Sequence, residues 1–156
     1  MMKLYAGLVV VLLLLTGYES VFRKKTMDCE KEAQTLAAHK KLVADLYQEL
    51  FGDKNTDAIN KYIGEEYIQH NPNVADGRQA LLEATRNWFK NAPKEKIDIQ
   101  HIGADGDLVF IHLKSHMGSK TFSVIDIFRI KDNKIIEHWD VMQEVPAKAA
   151  NNHPMF

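Results

Sequence analysis

Cysteine is nearly absent from the chain: Cys29 is the only one among 156 residues, which excludes an intrachain disulfide. An excess of charge of one sign is absent too, because 20 Lys and Arg face 21 Asp and Glu and the formal net charge is −1. Without a basic block, the sequence gives no electrostatic case for nucleic-acid binding. Hydrophobic residues make up 46% of the chain, enough for the core of one domain.

The N-terminus has features of a targeting segment. A short positive start, Met1–Lys3, precedes the uncharged apolar run Leu4–Thr16. A membrane span needs about 20 residues, so this run is too short for one, but its length suits the core of a secretory signal. Two features oppose export: the positive charges of Arg23-Lys24-Lys25 follow the apolar run, and no clean cleavage site lies between the run and these charges. We therefore predict a signal peptide over 1–20 and a periplasmic or secreted protein, with an uncleaved membrane anchor as the alternative.

Helical patterns come first along the rest of the chain, and strand patterns come last. Apolar spacings of three and four predict a long helix over Thr26–Phe51, a short one over Thr56–Ile63 and a third from Asp76 to about Trp88. A short extended segment, Glu65–Asn71, lies between the second and third helices. From Glu95 onward the patterns alternate as in antiparallel strands. This order indicates an α+β fold whose helices cover one face of the sheet.

Three turns connect four long predicted strands. Asp105-Gly106 and Asp132-Asn133 are two-residue hairpin signals, and Gly118-Ser119-Lys120 fits a three-residue loop. These turns predict registers that place His112 and Trp139 opposite Asp126. Chained together, the registers predict one sheet face that carries His101, Phe110, His112, His116, Asp126, Phe128, Glu137 and Trp139.

Asp126 is the main candidate for chemistry. It lies between Val124 and Phe128 on its predicted strand face, where an acid is costly unless it is paired or functional. A buried Asp126–His112 pair could exchange protons near neutral pH. The alternative is a satisfied buried pair that contributes to the fold alone.

A metal site has little support in the sequence. His-Glu-x-x-His and Cys-x-x-Cys spacings are absent. His112 and His116 are four apart on a strand, so roughly 13 Å separates their positions and they cannot chelate one ion. His138 and Asp140 share a face, but they are only two residues. We therefore expect neither a metal nor an organic cofactor.

The opposite sheet face is predicted to be apolar and uncovered. It would carry five aliphatic side chains that one layer of helices cannot also cover: Val109, Ile111, Leu113, Ile125 and Ile127. Such a patch favours a homodimer through the outer sheet face, with Arg129, His138 and Asp140 as polar groups at its rim. No other macromolecular partner is indicated.

Three stretches resemble a known family: YIQHNP at Tyr67–Pro72, GADGDLVFIH at Gly103–His112 and VIDIFRIKDNKIIEHWDV at Val124–Val141. They are similar to the SnoaL-like polyketide cyclase group of the NTF2-like superfamily. The resemblance implies a cone: a curved antiparallel sheet of four long strands plus a short one, wrapped on three N-terminal helices around an internal pocket. The SnoaL-like domain would span residues 27–146, and residues 147–156 would form a C-terminal tail.

In the cyclases of this group, an aspartate on the penultimate strand acts as general acid/base in an aldol closure, with a histidine close by. The resemblance therefore implies Asp126 and His112 as catalytic residues. The substrate-binding residues would be Trp139, Phe110, Phe128, His116, His101, Tyr67, His70 and Asn71. For the last three, which precede Pro72, turn chemistry is the alternative explanation.

The expected function is cofactor-independent acid/base chemistry on a small, largely apolar carbonyl compound, by aldol-type cyclisation, isomerisation or dehydration. The superfamily also contains non-catalytic domains, and fold does not settle function. The alternative is therefore an exported domain that binds a small hydrophobic ligand or acts as an accessory subunit.

Overall fold

The computed structural model describes the backbone from Met2 onward and the side chains from Phe22 onward. The predicted signal peptide or anchor over 1–20 lies outside the residues described with side chains. The elements along the described chain are α1 (Met2–Leu46), a π-helical segment (Tyr47–Gly52), α2 (Ala58–Tyr62), β1 (Ile63–Gln69), α3 (Arg78–Trp88), β2 (Asp98–Asp105), β3 (Leu108–Met117), β4 (Lys120–Lys131) and β5 (Lys134–Glu144).

The chain divides into two compact units, Met1–Thr35 and Leu36–Phe156. The first unit belongs to α1, and the second contains all the strands. Among the residues described with side chains, no helix has both the length and the apolar character needed to cross a bilayer.

The five strands of the second unit form one sheet in the order β1-β5-β4-β3-β2. The edge strand β1 runs parallel to β5, and the other neighbours are antiparallel. Helical side chains such as Val43, Leu50 and Ile59 are buried in one core with strand side chains. The predicted α+β fold with helices on one sheet face is therefore confirmed.

The π-helical segment continues the buried stripe of α1. The stripe predicted from apolar spacing is buried at Val43, Leu46, Tyr47 and Leu50. Because α1 ends at Leu46, Tyr47 belongs to the wider π-helical turn. The predicted second and third helices are present but begin later, at Ala58 and Arg78.

A β-bulge changes the register between β4 and β5. The Asp132-Asn133 turn forms as predicted, with positive φ at both residues and Lys131 opposite Lys134. After Ile130–Ile135 the register shifts, so Asp126 faces Asp140 and not Trp139. One extra residue sends every later side chain of β5 to the other sheet face. The predicted position of Trp139 opposite Asp126 is therefore wrong.

The turn between β3 and β4 is one residue shorter than predicted. Met117 pairs with Lys120, so Asp126 faces Ile111 and His112 faces Ile125. The predicted His112–Asp126 pairing is wrong for the same reason, a one-residue slip between neighbouring strands. The β2–β3 hairpin is also shifted, because Asp105 pairs with Leu108. His101 therefore lies opposite His112 and not opposite Phe110, and the two histidines still share one face, as predicted.

These registers define the two faces of the sheet. The inner face is buried against the helices and carries Val109, Ile111, Leu113, Val124, Asp126, Phe128, Ile130, Ile135 and His138. The outer face carries His101, Phe110, His112, Ile125, Ile127, Arg129, Glu137 and Trp139.

The predicted dimer patch is therefore wrong in composition. Val109, Ile111 and Leu113 lie in the core because the β3 register is shifted. Ile125 remains exposed on the outer face at 42%. A homodimer through the outer face stays a prediction, on a patch that contains fewer aliphatic side chains.

Candidate functional site

A buried acid–histidine pair lies on the inner face. The register places Asp126 of β4 diagonally across from His138 of β5. His138 Nε2 lies 2.9 Å from Asp126 Oδ1, and the two residues are 9% and 4% exposed. The Phe128 ring stacks on the imidazole with centroids 4.8 Å apart. The pair is thus a polar contact within an apolar layer, where an unpaired carboxylate would be costly.

The second nitrogen of His138 is held by the edge strand β1. Its Nδ1 lies 2.8 Å from Gln69 Oε1. The same oxygen accepts a hydrogen bond from the backbone N–H of Asn71 at 2.9 Å. Gln69 Nε2 in turn donates to the Tyr67 hydroxyl oxygen at 3.1 Å. The parallel β1–β5 pairing brings these groups together, since Gln69 is the register partner of His138.

A second carboxylate, Asp140, lies beside the pair. The Asn71 side chain donates through Nδ2 to Asp140 Oδ2 at 2.5 Å, while its own Oδ1 accepts from the Asn73 backbone at 2.8 Å. Asn71 is therefore oriented by a turn and fixes the Asp140 carboxylate.

Asp126, His138 and Asp140 also have the composition of a metal site. Each offers one ligand atom, and these atoms lie within 4.8 Å of one another. In the predicted register only His138 and Asp140 shared a face, whereas the β-bulge puts both on the face of Asp126 and gives three potential ligands. Both His138 nitrogens already take part in hydrogen bonds, however. An ion bound through Nε2 would have to replace the His138–Asp126 contact.

Two buried tyrosines border the pair. Burial raises the pKa of the Tyr47 hydroxyl well above its ordinary value, and the charge of Asp126 and a side-chain hydrogen bond to Asp126 raise it further. Burial likewise raises the pKa of Tyr67, followed by the charges of Asp126 and Asp140, while the Gln69 hydrogen bond opposes the change. Asp126 Oδ2 is buried and has no hydrogen-bond partner in good geometry among the described residues. One carboxylate oxygen is thus fixed by His138, and the neighbouring Tyr47 hydroxyl is the donor closest in role to a partner for the rest of the carboxylate.

His112 lies on the outer face with its own partners. Its Nδ1 is 3.1 Å from His101 Nδ1, and its Nε2 is 2.8 Å from Ser123 Oγ. Phe156 stacks over the His112 ring, with centroids 6.1 Å apart. His112 and His101 therefore form a cluster separate from Asp126.

Trp139 and His70 also lie outside the Asp126 cluster. Their rings stack with centroids 4.6 Å apart, and the Arg129 guanidinium lies over the indole. Glu137 bonds both Arg129 and His70, at 2.8 and 2.9 Å. Stacking and ion pairing therefore hold Trp139 and His70 on the outer face, away from Asp126.

Of the predicted substrate-binding residues, the structure brings Phe128, Tyr67 and Asn71 to the Asp126 cluster, and not the other five. Phe110 is 39% exposed, and His116 is exposed beside Thr121, both in register positions of the outer face. Sequence reasoning missed four residues of the cluster: Tyr47, Gln69, His138 and Asp140. The available signal was that His138 and Asp140 share a strand face, which becomes informative once the bulge is known.

Solved structures with a similar fold share little sequence with the chain. TsrD from Streptomyces laurentii is 20% identical, with a TM-score of 0.56 over 68% of this chain and 88% of that one. An LEH-like epoxide hydrolase of M. tuberculosis is 17% identical, with a TM-score of 0.58 over 70% and 85%. IdmH from Streptomyces antibioticus is 20% identical, with a TM-score of 0.53 over 67% and 91%. At these identities the likeness shows the fold alone.

A comparison with curated proteins finds no match. The family model described as SnoaL-like polyketide cyclase matches residues 41–151, which include every residue of the Asp126 cluster. Because this match covers well over half of the sequence, the chain belongs to the SnoaL-like polyketide cyclase family.

Proposed function

We propose that the protein is an enzyme that moves a proton next to a carbonyl group of a small, largely apolar compound. The observation that carries this proposal is the buried Asp126–His138 pair, in which His138 holds Oδ1 and Oδ2 has no hydrogen-bond partner in good geometry among the described residues, with the Tyr47 hydroxyl beside it. Aldol-type cyclisation, isomerisation and dehydration all begin with such a proton transfer. Family membership supports a catalytic role without identifying the substrate.

Asp126 Oδ2 takes the proton from the carbon adjacent to the carbonyl. The C–H electron pair forms the new C=C bond, and the carbonyl π pair moves onto the oxygen to give an enolate. His138, bonded to Oδ1, stabilises the carboxylate and keeps it oriented. Phe128 excludes water from the imidazole face, which strengthens the electrostatic interactions within the cluster. The proton then returns to a carbon or an oxygen of the same substrate. A positioned general acid/base of this kind typically contributes about 10²–10⁴-fold in rate.

The proposal can be tested before the natural substrate is known. A panel of simple cyclic ketones and 1,3-diketones in D₂O reports proton removal as deuterium incorporation at the carbon next to the carbonyl. We expect wild-type protein to accelerate this exchange and Asp126→Asn to reduce the acceleration by about 10²–10⁴-fold. Asp105→Asn, at an exposed hairpin position, is the matched control and should retain the wild-type rate.

Full exchange in Asp126→Asn would contradict the proposal. Binding of panel compounds by wild-type protein without any exchange would contradict it too, and would favour the ligand-binding alternative.

A further inference from the structure

We propose that Gln69 is a positioning residue that sets where the protons of the site lie: its amide oxygen forces a proton onto His138 Nδ1, and its amide nitrogen leaves the Tyr67 hydroxyl proton free for the substrate oxygen. This inference rests on the function proposed above and assigns Gln69 and Tyr67 separate parts in it.

The orientation of the Gln69 amide follows from the backbone. The N–H of Asn71 can only donate, and it lies 2.9 Å from one end of the amide. That end must therefore be the oxygen, because two donors would repel each other. The other end is the NH₂ group, and its hydrogen-bond distance to the Tyr67 oxygen is 3.1 Å.

The fixed oxygen determines the protonation of His138. Nδ1 lies 2.8 Å from Gln69 Oε1, which has no proton to give, so Nδ1 must carry one. The contact between Nε2 and Asp126 Oδ1 at 2.9 Å then needs a further proton, held either by the imidazole or by the carboxyl group. In either arrangement the pair is neutral overall. This neutrality lowers the cost of burying the pair beside the Asp140 carboxylate.

The fixed NH₂ group determines the direction of the Tyr67 proton. Because Tyr67 accepts from Gln69, its own O–H must point elsewhere, and it has no acceptor among the described residues. Tyr67 is only 3% exposed, so bulk water does not readily supply that acceptor. A hydroxyl that accepts a hydrogen bond is also a stronger donor. The geometry suits a substrate oxygen that becomes negative as Asp126 removes the proton, as in an enolate.

Only an amide side chain can accept a hydrogen bond from His138 at one end and donate one to Tyr67 at the other. Gln69→Glu keeps an acceptor for His138 and Asn71, but its second oxygen accepts the Tyr67 proton and removes it from the substrate. Gln69→Met removes the acceptor for His138 and leaves the Tyr67 proton free. Tyr67→Phe removes the donor alone.

The test combines these variants in two double-mutant cycles, with the ketone exchange rate as the readout. We expect Gln69→Glu and Tyr67→Phe each to lose about 10²–10³-fold, as for one donor to a developing oxyanion. Their combination should lose no more than the larger single loss, since both remove the same donor. Gln69→Met should lose more than tenfold, and its loss should multiply with that of Tyr67→Phe. Gln143→Glu, an exposed change of the same kind, should retain the wild-type rate.

A wild-type rate in Gln69→Glu, or losses that multiply between Gln69→Glu and Tyr67→Phe, would overturn the inference. If Gln69→Glu unfolds below the assay temperature, a wild-type rate in Gln69→Met overturns it equally. The Asp126→Asn variant separates the two proposals. Loss of exchange there, with full exchange in the Gln69 variants, rejects the role of Gln69 and leaves the acid/base proposal standing.

Discussion

His138 on the inner face and His112 on the outer face both use both ring nitrogens, but with partners of different kinds. His138 contacts an amide oxygen that can only accept and a carboxylate in a buried layer. His112 contacts a hydroxyl and another imidazole, each of which can donate or accept. The proton positions on His138 are therefore fixed by its surroundings, whereas those on His112 can change together with those of Ser123 and His101.

Residue type alone did not identify the histidine that contacts Asp126. Both histidines lie on strands adjacent to β4, and both were visible in the sequence. What separates them is the sheet face, and with it burial and the kind of partner. A histidine held between a fixed acceptor and a buried carboxylate is suited to proton transfer.

The largest expected effect comes from removing His138, and removal of His112 is the comparison. His138→Leu removes the partner of Asp126 Oδ1 and leaves the buried carboxylate without its compensating imidazole, which costs about 3–5 kcal/mol of stability. It should also reduce ketone exchange by at least about 10²-fold, since the base loses its orientation. His112→Leu, at a half-buried outer position, should change exchange less than twofold and stability by about 1 kcal/mol. Urea unfolding and deuterium incorporation measure the two effects.

Equal losses of exchange in the two histidine variants would remove the distinction between the faces. A larger loss in His112→Leu would reverse it.

A smaller expected effect is a loss of folding stability at high pH, because the inner face buries two tyrosine hydroxyls away from water. Burial raises the pKa of Tyr47 and Tyr67 in the folded protein above the ordinary value of 10.0. In the unfolded chain both hydroxyls ionise at about pH 10. Their contribution to stability is therefore fully present below about pH 10 and is lost as the pH rises further, by up to about 1.4 kcal/mol per pH unit for each tyrosine.

Urea unfolding at pH 9, 10 and 11 measures this slope. Tyr67→Phe should make the decline above pH 10 shallower, because one of the two groups no longer ionises on unfolding. An unchanged slope in Tyr67→Phe would mean that the Tyr67 hydroxyl ionises as readily in the folded protein as in the unfolded chain.

The sequence predicted the fold and the acid better than it predicted the site. Asp132-Asn133 marked its turn correctly, and the acid between Val124 and Phe128 lies in the buried cluster of the candidate site. The partner was missed because Ile135 and Ile136 are both apolar, so nothing in the local pattern shows which of them faces the core. A bulge at this point costs little and moves every later side chain of β5 to the other face.

A long-range strand pairing explains why Gln69 was missed and why the contact of the predicted residue Asn71 was not foreseen. Gln69 and Asn71 reach His138 and Asp140 through a parallel pairing of β1 with β5, although α3 and three strands lie between β1 and β5 in the chain. Hairpin signals report antiparallel neighbours only. Parallel strands are not joined by a tight turn, so no turn motif in the sequence marks their pairing. The sequence therefore indicated β1 as an added edge strand but not its register with β5.

The most direct test of the account is the protonation of the His138 ring in the native protein. Long-range ¹H–¹⁵N correlation spectra report which ring nitrogens carry protons, and His138→Gln assigns the His138 signals. We predict a protonated Nδ1 on His138, while His112 gives signals averaged between its tautomers. A neutral His138 ring with its proton on Nε2 and a bare Nδ1 would contradict the account, because the Gln69 oxygen would then face a lone pair.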